Sequence, residues 1–420
     1  MLDLRLIRAE PERVRSALER RGAGERLDDL MDLDAGAREV RARVEQLRSE
    51  RSKLSKEIGH ARGQGQDAAE AESRARALGD ELSGGEEELR GLEERRDELL
   101  SVLPNLADDE APDGGEDDAV ELRRVGEQPA WDFEPRDHLD LAVAAGVLDM
   151  EQAARVSGAR FAYLLGPLVR VQLALVNFTV TLLEGEGFTP VVPPILVREQ
   201  AMWGTGFFPT DRHSIYETTQ DELFLAGTSE VPLAGLHADQ IIDEQDLPLR
   251  YAGLSTCFRR EAGAAGRDTR GIFRVHQFDK VEMFAFVAPE DSAREHLRLL
   301  EIEERILATL EIPYRVVDIP VGDLGSSAAR KFDIEAWMPG QGEYREVTSC
   351  SNCTDYQARR LKARLKRDKR TRPVHTLNGT ACAVGRTIVA LLENGQQRDG
   401  TVRLPAALVE FGAPPEIAPK

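Results

Sequence analysis

Residues Cys257–Phe284 read CFRREAGAAGRDTRGIFRVHQFDKVEMF, and the rest of the chain is interpreted outward from this stretch. Two apolar runs of strand-like composition flank a loop that is rich in glycine and charge. The loop holds Gly263, Gly266, Arg267, Arg270 and Gly271. Because glycine lets a chain reverse direction easily, we predict a β-hairpin here.

Side chains alternate across a strand, so every second residue of this hairpin lies on one face. We predict that Arg259 and Glu261 share a face on the first strand, and that Arg274, Phe278 and Glu282 share a face on the second. Guanidinium groups pair with phosphate oxygens, and an aromatic ring suits a purine. The pattern predicts a nucleoside triphosphate site, although a surface hairpin with scattered, weak ion pairs is the simpler alternative.

The two strands also resemble a known family. Phe-Arg-x-Glu-Ala-Gly at 258–263 and His-Gln-Phe-x-Lys-Val-Glu at 276–282 are similar to motif 2 of the class II aminoacyl-tRNA synthetases, in particular the seryl-tRNA synthetases. The resemblance implies an enzyme that uses ATP to activate L-serine as seryl-adenylate. It also implies transfer of the seryl group to the 3′ end of tRNA(Ser), and of tRNA(Sec) where that tRNA is present.

The composition limits the class of protein. At 420 residues the chain is too long for one ordinary core, so we expect two domains. The formal net charge of -20 argues weakly against a general nucleic-acid binder, although local basic patches matter more than the total. Four cysteines do not make a disulfide framework, and neither a signal-peptide-like start nor an apolar run of about 18 residues is found. We expect a cytoplasmic protein with no membrane partner.

Residues 1–103 are rich in arginine, glutamate, alanine and leucine and nearly free of proline, which predicts helix. Apolar residues recur with coiled-coil spacing in two stripes. The first stripe is Val40, Val44, Leu47, Leu54 and Ile58, and the second is Ala71, Ala75, Leu78, Leu82, Leu89, Leu92 and Leu99. We predict an antiparallel hairpin of two helices, each about 28 residues and about 40 Å long, with its tip at Arg62–Gln66 and a bend at Gly84–Gly85.

The two predicted helices differ in charge. The first carries Arg38, Arg41, Arg43, Arg48, Arg51, Lys53, Lys56 and Arg62, whereas the second has an acidic run at Glu86–Glu88. Two interpretations are open: ion pairing between the helices, or a basic ridge that binds an RNA backbone. The resemblance implies the second, because the arm of a seryl-tRNA synthetase lies across the long variable arm of the tRNA.

Proline, glycine and acidic residues without periodicity mark 104–130 as a linker. From Trp131 onward the chain mixes short helical and strand-like runs, which predicts an α+β domain over 131–420. The predicted fold class is therefore α+β, with an N-terminal antiparallel α-helical coiled-coil arm over 1–103. The resemblance implies that 131–420 is a class II catalytic domain, built on an antiparallel β-sheet flanked by helices.

Two segments before the hairpin add to the resemblance. A helix from about Leu168 to Leu183 and a proline-terminated strand at Gly187–Pro194 are similar to motif 1, which implies a homodimer. An ordinary buried helix and strand is equally compatible with these residues. Gly227-Thr228-Ser229-Glu230 has the composition of a helix cap, and the resemblance implies that this loop closes on the substrate amino acid.

Glu343–Asp355 holds further candidate ligands. Cys350 and Cys353 have zinc-knuckle spacing, but a structural zinc site needs four ligands and no second cysteine pair exists. Glu346 and Ser349 offer a carboxylate and a hydroxyl three residues apart, which suits Mg²⁺. A basic helix is predicted next, from Gln357 through Lys362, Arg364, Lys366 and Arg367. Its basic face is either solvated or serves the tRNA acceptor stem.

Leu377–Arg386 and the apolar helix that follows are similar to motif 3. The resemblance implies that Arg386 stacks on the adenine opposite Phe278 and reaches the γ-phosphate. Four residues depart from the wording common in the family: Arg260, Thr380, Cys382 and Gly395. None of these departures removes a catalytic group, and Thr380 retains the hydroxyl of the serine that is common there.

Carried over residue by residue, the resemblance implies a complete site. Its catalytic residues are Arg259 and Arg386. L-Serine would contact Thr228, Ser229, Glu230, Glu282, Asn378 and Thr380. ATP would contact Arg259, Arg260, Glu261, Arg274, Val275, Phe278, Glu346, Val347, Thr348, Ser349 and Arg386, and Mg²⁺ would bind Glu346 and Ser349.

Two other functions stay open on sequence grounds. One is a paralogue that activates serine for a carrier protein, or that serves a secondary-metabolite or resistance pathway. The other is a non-catalytic coiled-coil protein that binds RNA. The long arm argues against a carrier-protein ligase, and the joint presence of Arg259, Glu261, Glu282, Glu346 and Arg386 argues against a non-catalytic protein.

Overall fold

The computed structural model describes residues 1–262, 266, 268 and 270–420. Gly263 and Arg267 of the predicted hairpin loop lie outside the described residues. Two compact units are present, one formed by Leu2–Leu103 and the other by Met1 with Pro104–Lys420. Each unit has its own hydrophobic clusters.

The first unit consists of helices joined by short turns. Its helices are α1 (Leu4–Ala9), α2 (Pro11–Glu19), α3 (Arg26–Gly63) and α4 (Ala69–Val102). The two long helices, α3 and α4, pack along each other in opposite directions, with Val40, Val44 and Leu82 at the centre of the seam. The predicted antiparallel arm is confirmed, but its helices are longer than predicted, with 38 residues in α3 and 34 in α4. Helix α4 runs unbroken through Gly84–Gly85, where a bend is predicted, and Gly85 marks a close approach, since a Cβ there would lie 3.1 Å from Val44 Cγ2.

Ion pairs join the two long helices of the arm. Arg48 bonds Glu86 at 2.7 Å and Arg62 bonds Glu72 at 2.7 Å. Arg41–Glu93 and Arg43–Glu88 are further pairs of the same kind. Pairing between helices thus accounts for half of the basic residues noted on α3. Among the described residues, Arg51, Lys53 and Lys56 of α3 are exposed and have no ion-pair partner.

The second unit contains the remaining helices and all of the strands. Its helices are α5 (His138–Ala144), α6 (Met150–Ser157), α7 (Pro167–Gly185), α8 (Glu199–Thr205), α9 (Glu230–Gly235), α10 (Ser292–Thr309), α11 (Tyr356–Leu361), α12 (Val384–Asn394) and α13 (Ala406–Glu410). Its strands are β1 (Val120–Val125), β2 (Leu148–Asp149), β3 (Tyr163–Leu164), β4 (Thr189–Val191), β5 (Leu196–Arg198), β6 (Glu217–Thr218), β7 (Leu223–Leu225), β8 (Ile241–Asp243), β9 (Leu249–Phe258), β10 (Gln277–Val287), β11 (Tyr314–Asp318), β12 (Arg330–Met338), β13 (Glu343–Asn352), β14 (Arg364–Arg367), β15 (Arg370–Pro373), β16 (His375–Ala383), β17 (Val402–Arg403) and β18 (Glu416–Ile417).

An eight-stranded sheet organises this unit, in the order β1-β11-β12-β13-β16-β10-β9-β4. Its described neighbours pair antiparallel except at the β4–β9 edge, where the pairing is parallel. Helices α7, α10 and α12 pack against the sheet and bury the main hydrophobic core. The predicted α+β class and antiparallel sheet are confirmed.

Two segments differ from the sequence expectation. The predicted linker 104–130 includes β1, which pairs with β11 at one edge of the large sheet. The predicted basic helix is wrong beyond Leu361, because α11 ends there and Arg364–Arg367 form strand β14. Lys362 adopts a left-handed φ of 54°, which ends the helix.

Helix α7 is the one described helix that is long and apolar enough to cross a membrane by length and composition alone. It lies partly in the core, with 44% of its most apolar window buried. Core helices of ordinary globular proteins pass the same test, so the finding is weak evidence for a membrane span. The stricter requirement of an unbroken apolar run fails in this helix, because Arg170 and Glu184 interrupt it.

Candidate active site

The central hairpin has shorter strands than its sequence predicts. Strand β9 ends at Phe258, which pairs with Gln277 at the start of β10. Arg259, Glu261 and Arg274 therefore lie in the connecting loop, and their predicted positions on the strands are wrong. The physical reason is local, since Glu261 has a φ of 50°, outside the extended conformation that a strand requires.

The loop nevertheless brings the predicted residues into one cavity. The cavity is lined by Arg259, Glu261, Ile272, Phe273, Arg274, Val275, Phe278, Lys280, Glu346, Val347, Thr380, Ala383, Gly385 and Arg386. Strands β10, β13 and β16 and the start of α12 supply most of the walls. Guanidinium groups from motifs far apart in sequence thus face the same space as two aromatic rings and two carboxylates.

Three arginines line this cavity, and each is held by a neighbour. The Arg259 guanidinium lies 5.3 Å from the Phe278 ring centre, and its Nε donates to the Gly227 carbonyl at 3.2 Å. Arg274 Nη1 bonds Glu261 Oε2 at 2.6 Å. These contacts fix the guanidinium planes before a ligand arrives, which suits bidentate binding of phosphate oxygens.

Arg386 lies across the same cavity, beside Phe273 and Glu346. Its guanidinium is 4.9 Å from the Phe273 ring centre and 3.2 Å from Glu346 Oε1. Burial opposes ionisation of Glu346, but the charges of Arg386, Lys331 and Arg259 lower its pKa overall. Glu346 is therefore a carboxylate, and since its side chain is 48% exposed, the three cations outweigh the cost of partial burial.

A buried polar cluster adjoins the cavity at Lys280. The Lys280 ammonium donates to Thr228 Oγ1 at 2.8 Å and lies 2.5 Å from Glu282 Oε2. Thr380 Oγ1 donates to the same Glu282 oxygen at 3.4 Å. Lys280 was missing from the predicted site, although it stands inside the quoted Lys-Val-Glu wording of the hairpin.

Glu230 is the second carboxyl group of this cluster and is 8% exposed. Gln357 Nε2 and Asn378 Nδ2 donate to its Oε1 at 2.7 and 3.1 Å. Desolvation by burial and the nearby charge of Glu282 raise the pKa of Glu230 to about 7, against the opposing effects of Gln357, Lys280 and Arg259. Gln357 was also missed, because its contact joins α11 to α9 across 127 residues of sequence.

The residues predicted to hold Mg²⁺ can be tested against the chemistry of the ion. Glu346 and Ser349 lie on β13, and Asp333 faces Ser349 across the β12–β13 pairing. Asp333 is 6% exposed, and its buried Oδ1 has no hydrogen-bond partner among the described residues. The described residues hold no group of three or more histidine, cysteine or acidic residues placed to bind a metal. Mg²⁺ is usually bound by one or two carboxylates together with water and phosphate. The Glu346 carboxylate and the Ser349 hydroxyl therefore suit this ion.

Some predicted site residues face elsewhere. Thr348 is buried, and its hydroxyl donates to Glu303 Oε2 at 3.0 Å. The Ser229 hydroxyl donates to the Gly253 carbonyl at 3.2 Å, so it supports the loop that carries Thr228 and Glu230. Arg260 is exposed, and it is not among the described residues that line the cavity.

Comparisons with known proteins agree with this geometry. Residues 213–395 match the family described as "tRNA synthetase class II core domain (G, H, P, S and T)", and residues 1–107 match "Seryl-tRNA synthetase N-terminal domain". The chain is 51% identical over 412 residues to the serine–tRNA ligase of Streptomyces coelicolor, covering 97% of this chain and 96% of that protein. The Thermobifida fusca serine–tRNA ligase is 48% identical and covers 98% of this chain and 97% of its own length. A crystal structure of seryl-tRNA synthetase from Pyrococcus horikoshii with ATP matches at a TM-score of 0.95, with 43% identity and full coverage of both chains.

Proposed function

The chain belongs to the seryl-tRNA synthetase family, and from that premise we propose which of its residues carry each part of the reaction. It is an enzyme that uses ATP to activate serine and then charges tRNA with the seryl group. One observation, the shared cavity, supports the residue assignments. Arg259, Phe278 and Arg386 line one cavity, and Lys280 in its wall belongs to the buried cluster with Glu282.

The first step is attack of the serine carboxylate on the α-phosphorus of ATP, with pyrophosphate as the leaving group. We assign Arg259 to the α-phosphate, where its guanidinium stabilises the negative charge that grows in the transition state. The protein contributes position and charge instead of a nucleophile. Seryl-adenylate then loses AMP when a hydroxyl of the terminal tRNA ribose attacks its carbonyl carbon.

The rest of the nucleotide is assigned to the same cavity. We assign the adenine ring to the space between Phe278 and Arg386, because both side chains line the cavity and a guanidinium stacks well on a ring. Arg274 and Glu261 are assigned to the nucleotide as an ion pair. Glu346 and Ser349 would hold Mg²⁺, which supplies positive charge to the phosphate oxygens.

Serine is assigned to the cluster around Glu282. Glu230, Glu282 and the Thr228 hydroxyl offer acceptors for the serine ammonium, and Thr380 and Asn378 flank the side-chain position. A site that hydrogen-bonds the substrate hydroxyl can reject alanine by about 10⁴-fold, because its own polar groups would otherwise be left unpaired. Threonine keeps the hydroxyl and adds a methyl group, so the site has to exclude it by leaving no room for that methyl group.

The raised pKa of Glu230 predicts a pH dependence of serine use. As the pH falls through 7, the Glu230 carboxyl of the free enzyme becomes progressively protonated and loses the charge that attracts the serine ammonium. Lowering the pH from 8 to 6 should reduce kcat/KM for serine about tenfold, since one unit below the pKa about a tenth of the carboxyl is ionised. The KM for ATP should change little. Pyrophosphate exchange across this pH range measures both.

Glu230→Gln is the matched control for this pH profile. The amide keeps the size of the side chain but cannot ionise, so the variant should use serine poorly and with no step near pH 7. A wild-type profile that is flat between pH 6 and 8 would show that Glu230 is ionised throughout or does not contact serine.

We propose that the arm binds tRNA through the cations of α3 that α4 leaves unpaired. Arg51, Lys53 and Lys56 lie between Arg48 and Arg62, which are both paired with glutamates of α4. Free cations bind phosphate without first breaking an ion pair, and each adds to the salt dependence of RNA binding. The partner would be the long variable arm of tRNA(Ser).

Replacing Arg51, Lys53 and Lys56 together with glutamine should raise the KM for tRNA at least tenfold, since three phosphate contacts are lost. Serine-dependent pyrophosphate exchange should stay within about twofold of wild type. The matched control replaces Arg41, Arg43 and Arg48, which removes the same charge from paired positions whose exposed ion pairs contribute little stability. Equal effects of the two triple variants on charging would contradict the assignment of tRNA binding to the unpaired cations.

We further propose a homodimer in the cytoplasm. Helix α7 keeps Val169 and Leu173 exposed, and Val192 after β4 is 81% exposed, so this motif 1 region presents apolar surface that a second copy would cover. The four cysteines are free and buried, which fits a reducing compartment. Analytical ultracentrifugation measures the oligomeric state directly.

The function is tested by pyrophosphate exchange with each of the twenty amino acids, followed by charging of unfractionated tRNA. Exchange with serine alone, together with charging of tRNA(Ser), is expected. Exchange without any charging would support the rival function, a ligase that activates serine for a carrier protein. The match of residues 1–107 to the seryl-tRNA synthetase N-terminal domain argues against that rival.

A further inference from the structure

The segment from Lys362 to Arg372 is the most basic stretch of the second unit. It holds seven basic residues and one acidic residue, in a chain whose formal net charge is -20. Strands β14 and β15 form a hairpin over this segment, with Arg367 opposite Arg370 at the turn. Concentrating like charges in this way raises the free energy of the folded state unless an anion lies against them.

The cations of this hairpin fall into two groups. On the face that carries the buried Leu365, Arg367 and Arg372 pair with Glu244 and Glu290. Arg364 and Lys366 share the opposite face, because they are two residues apart on β14. These two side chains are exposed and have no ion-pair partner among the described residues. The same holds for Lys369 and Arg370 at the turn, although Arg370 lies opposite Arg367 and so shares its face.

Protection of a sheet edge does not explain the unpaired charges of Arg364 and Lys366, although Arg370 lies on the edge strand β15. Charged residues commonly guard an edge strand against pairing with other chains. In the three-stranded sheet β15-β14-β8, however, Arg364 and Lys366 lie on the central strand β14. Strand β14 already pairs with a strand on each side, so the charges of Arg364 and Lys366 are not needed to prevent pairing with another chain.

The hairpin is placed beside the chemistry of the enzyme. It joins α11 to β16, and the residues on its two sides, Gln357 and Asn378, both donate to Glu230 in the proposed serine pocket. Leu365 and Val374 anchor the hairpin in a hydrophobic cluster with Phe284 and Phe286 of β10. The hairpin is therefore joined at both ends, within a few residues, to side chains of the pocket proposed to receive the 3′ end of tRNA.

We propose that Arg364, Lys366, Lys369 and Arg370 bind the phosphate backbone of tRNA next to its 3′ end and hold that end at the serine pocket. The inference rests on the proposed function, because it uses tRNA as the substrate. The segment Lys362–Arg372 contains no aromatic residue on which a base could stack. Its contacts are therefore with phosphate groups. Such contacts do not depend on the tRNA sequence, and they weaken as the salt concentration rises.

The test is the double variant Arg364→Gln/Lys366→Gln on β14, together with Lys369→Gln/Arg370→Gln at the turn. Each should raise the KM for tRNA about tenfold and make the slope of log KM against log salt shallower by about two, because each removes two phosphate contacts. Serine-dependent pyrophosphate exchange, which needs no tRNA, should stay within about twofold of wild type.

Two further variants keep the test decisive. Arg155→Gln/Arg294→Gln removes the same charge from exposed helical positions of the same unit and should leave the KM for tRNA unchanged. Arg364→Lys/Lys366→Arg keeps both charges and should charge tRNA normally, which separates lost charge from a disturbed hairpin.

The outcomes distinguish this inference from the function on which it rests. If wild-type protein exchanges pyrophosphate and charges tRNA, but the glutamine variants keep the wild-type KM and salt slope, the hairpin does not bind tRNA. Increased aggregation of the glutamine variants with unchanged KM would likewise overturn the proposal and assign the charges to solubility. Absence of exchange in the wild type would instead refute the proposed function itself.

Discussion

Replacing Arg259 with alanine should abolish serine-dependent exchange of pyrophosphate into ATP. Arg259 lies between the two halves of the site, against the Phe278 ring and the Gly227 carbonyl. It is the arginine assigned to the α-phosphate, where charge develops in the first step. Removal of one preorganised donor at such a position typically costs about 10²–10³-fold in rate, and the loss of a full positive charge should reach at least the upper value.

Arg259→Lys separates charge from geometry in this prediction. Lysine keeps the charge but lacks the planar fork, so exchange should recover only partly. Arg398→Ala, at an exposed position near the carboxyl terminus, is a control for the loss of one positive charge and should behave as wild type. Exchange near the wild-type rate in Arg259→Ala would show that another residue stabilises the α-phosphate.

Replacing Glu282 with glutamine should raise the KM for serine about 100-fold. Glu282 is 2% exposed, and its Oε2 lies 2.5 Å from the Lys280 ammonium. The amide keeps the shape of the side chain but removes the charge that offsets Lys280 and attracts the serine ammonium. A hydrogen bond to a charged group at a buried site is worth about 1.5–3 kcal/mol, which converts to about 10–150-fold.

The contrast between the two substrates decides the meaning of this variant. The KM for ATP should stay within about threefold of wild type, because Glu282 is not among the described residues that line the nucleotide cavity. A thermal melt of the variant checks that Lys280 does not destabilise the fold once its partner is neutral. A larger rise in the KM for ATP than in the KM for serine would place the amino-acid pocket elsewhere.

The sequence predicts the architecture well where periodicity carries the information. The apolar stripes through Val40, Val44 and Leu82 identify an antiparallel arm, and this is what the structure contains. Interhelical ion pairs are harder to predict from sequence, since Arg48 and Glu86 are 38 residues apart and each could bond several neighbours. Which cations stay free, and thus which remain available to tRNA, follows only from the packed helices.

In the active site, too, the sequence predicts some features and the folded structure alone shows others. The quoted motifs identify Arg259, Phe278 and Arg386, and the structure brings these three into one cavity. Strict alternation assigned Arg259 to a strand, but β9 stops at Phe258 and the loop backbone determines where this side chain points. Side-chain alternation does not predict the positive φ of Glu261. Glycine is the residue whose presence in a sequence usually indicates a positive φ, and Glu261 is not a glycine.

Lys280 and Gln357 show what motif reading omits. Both are buried, and both serve the serine pocket through contacts with other side chains, Thr228 for Lys280 and Glu230 for Gln357. A lysine inside a strand and a glutamine at the start of a short helix carry no pattern that predicts such contacts. The same holds for the hairpin at Arg364–Pro373, where a run of cations had suggested a helix until the strand pairing was known.

A crystal structure of the protein with a non-hydrolysable sulfamoyl analogue of seryl-adenylate tests the central arrangement most directly. We predict an adenine ring in contact with both Phe278 and Arg386, the sulfamoyl group within hydrogen-bond distance of Arg259, and the serine ammonium between Glu230 and Glu282. An analogue bound outside this cavity, or bound inside it with the serine moiety away from Glu282, would contradict the account.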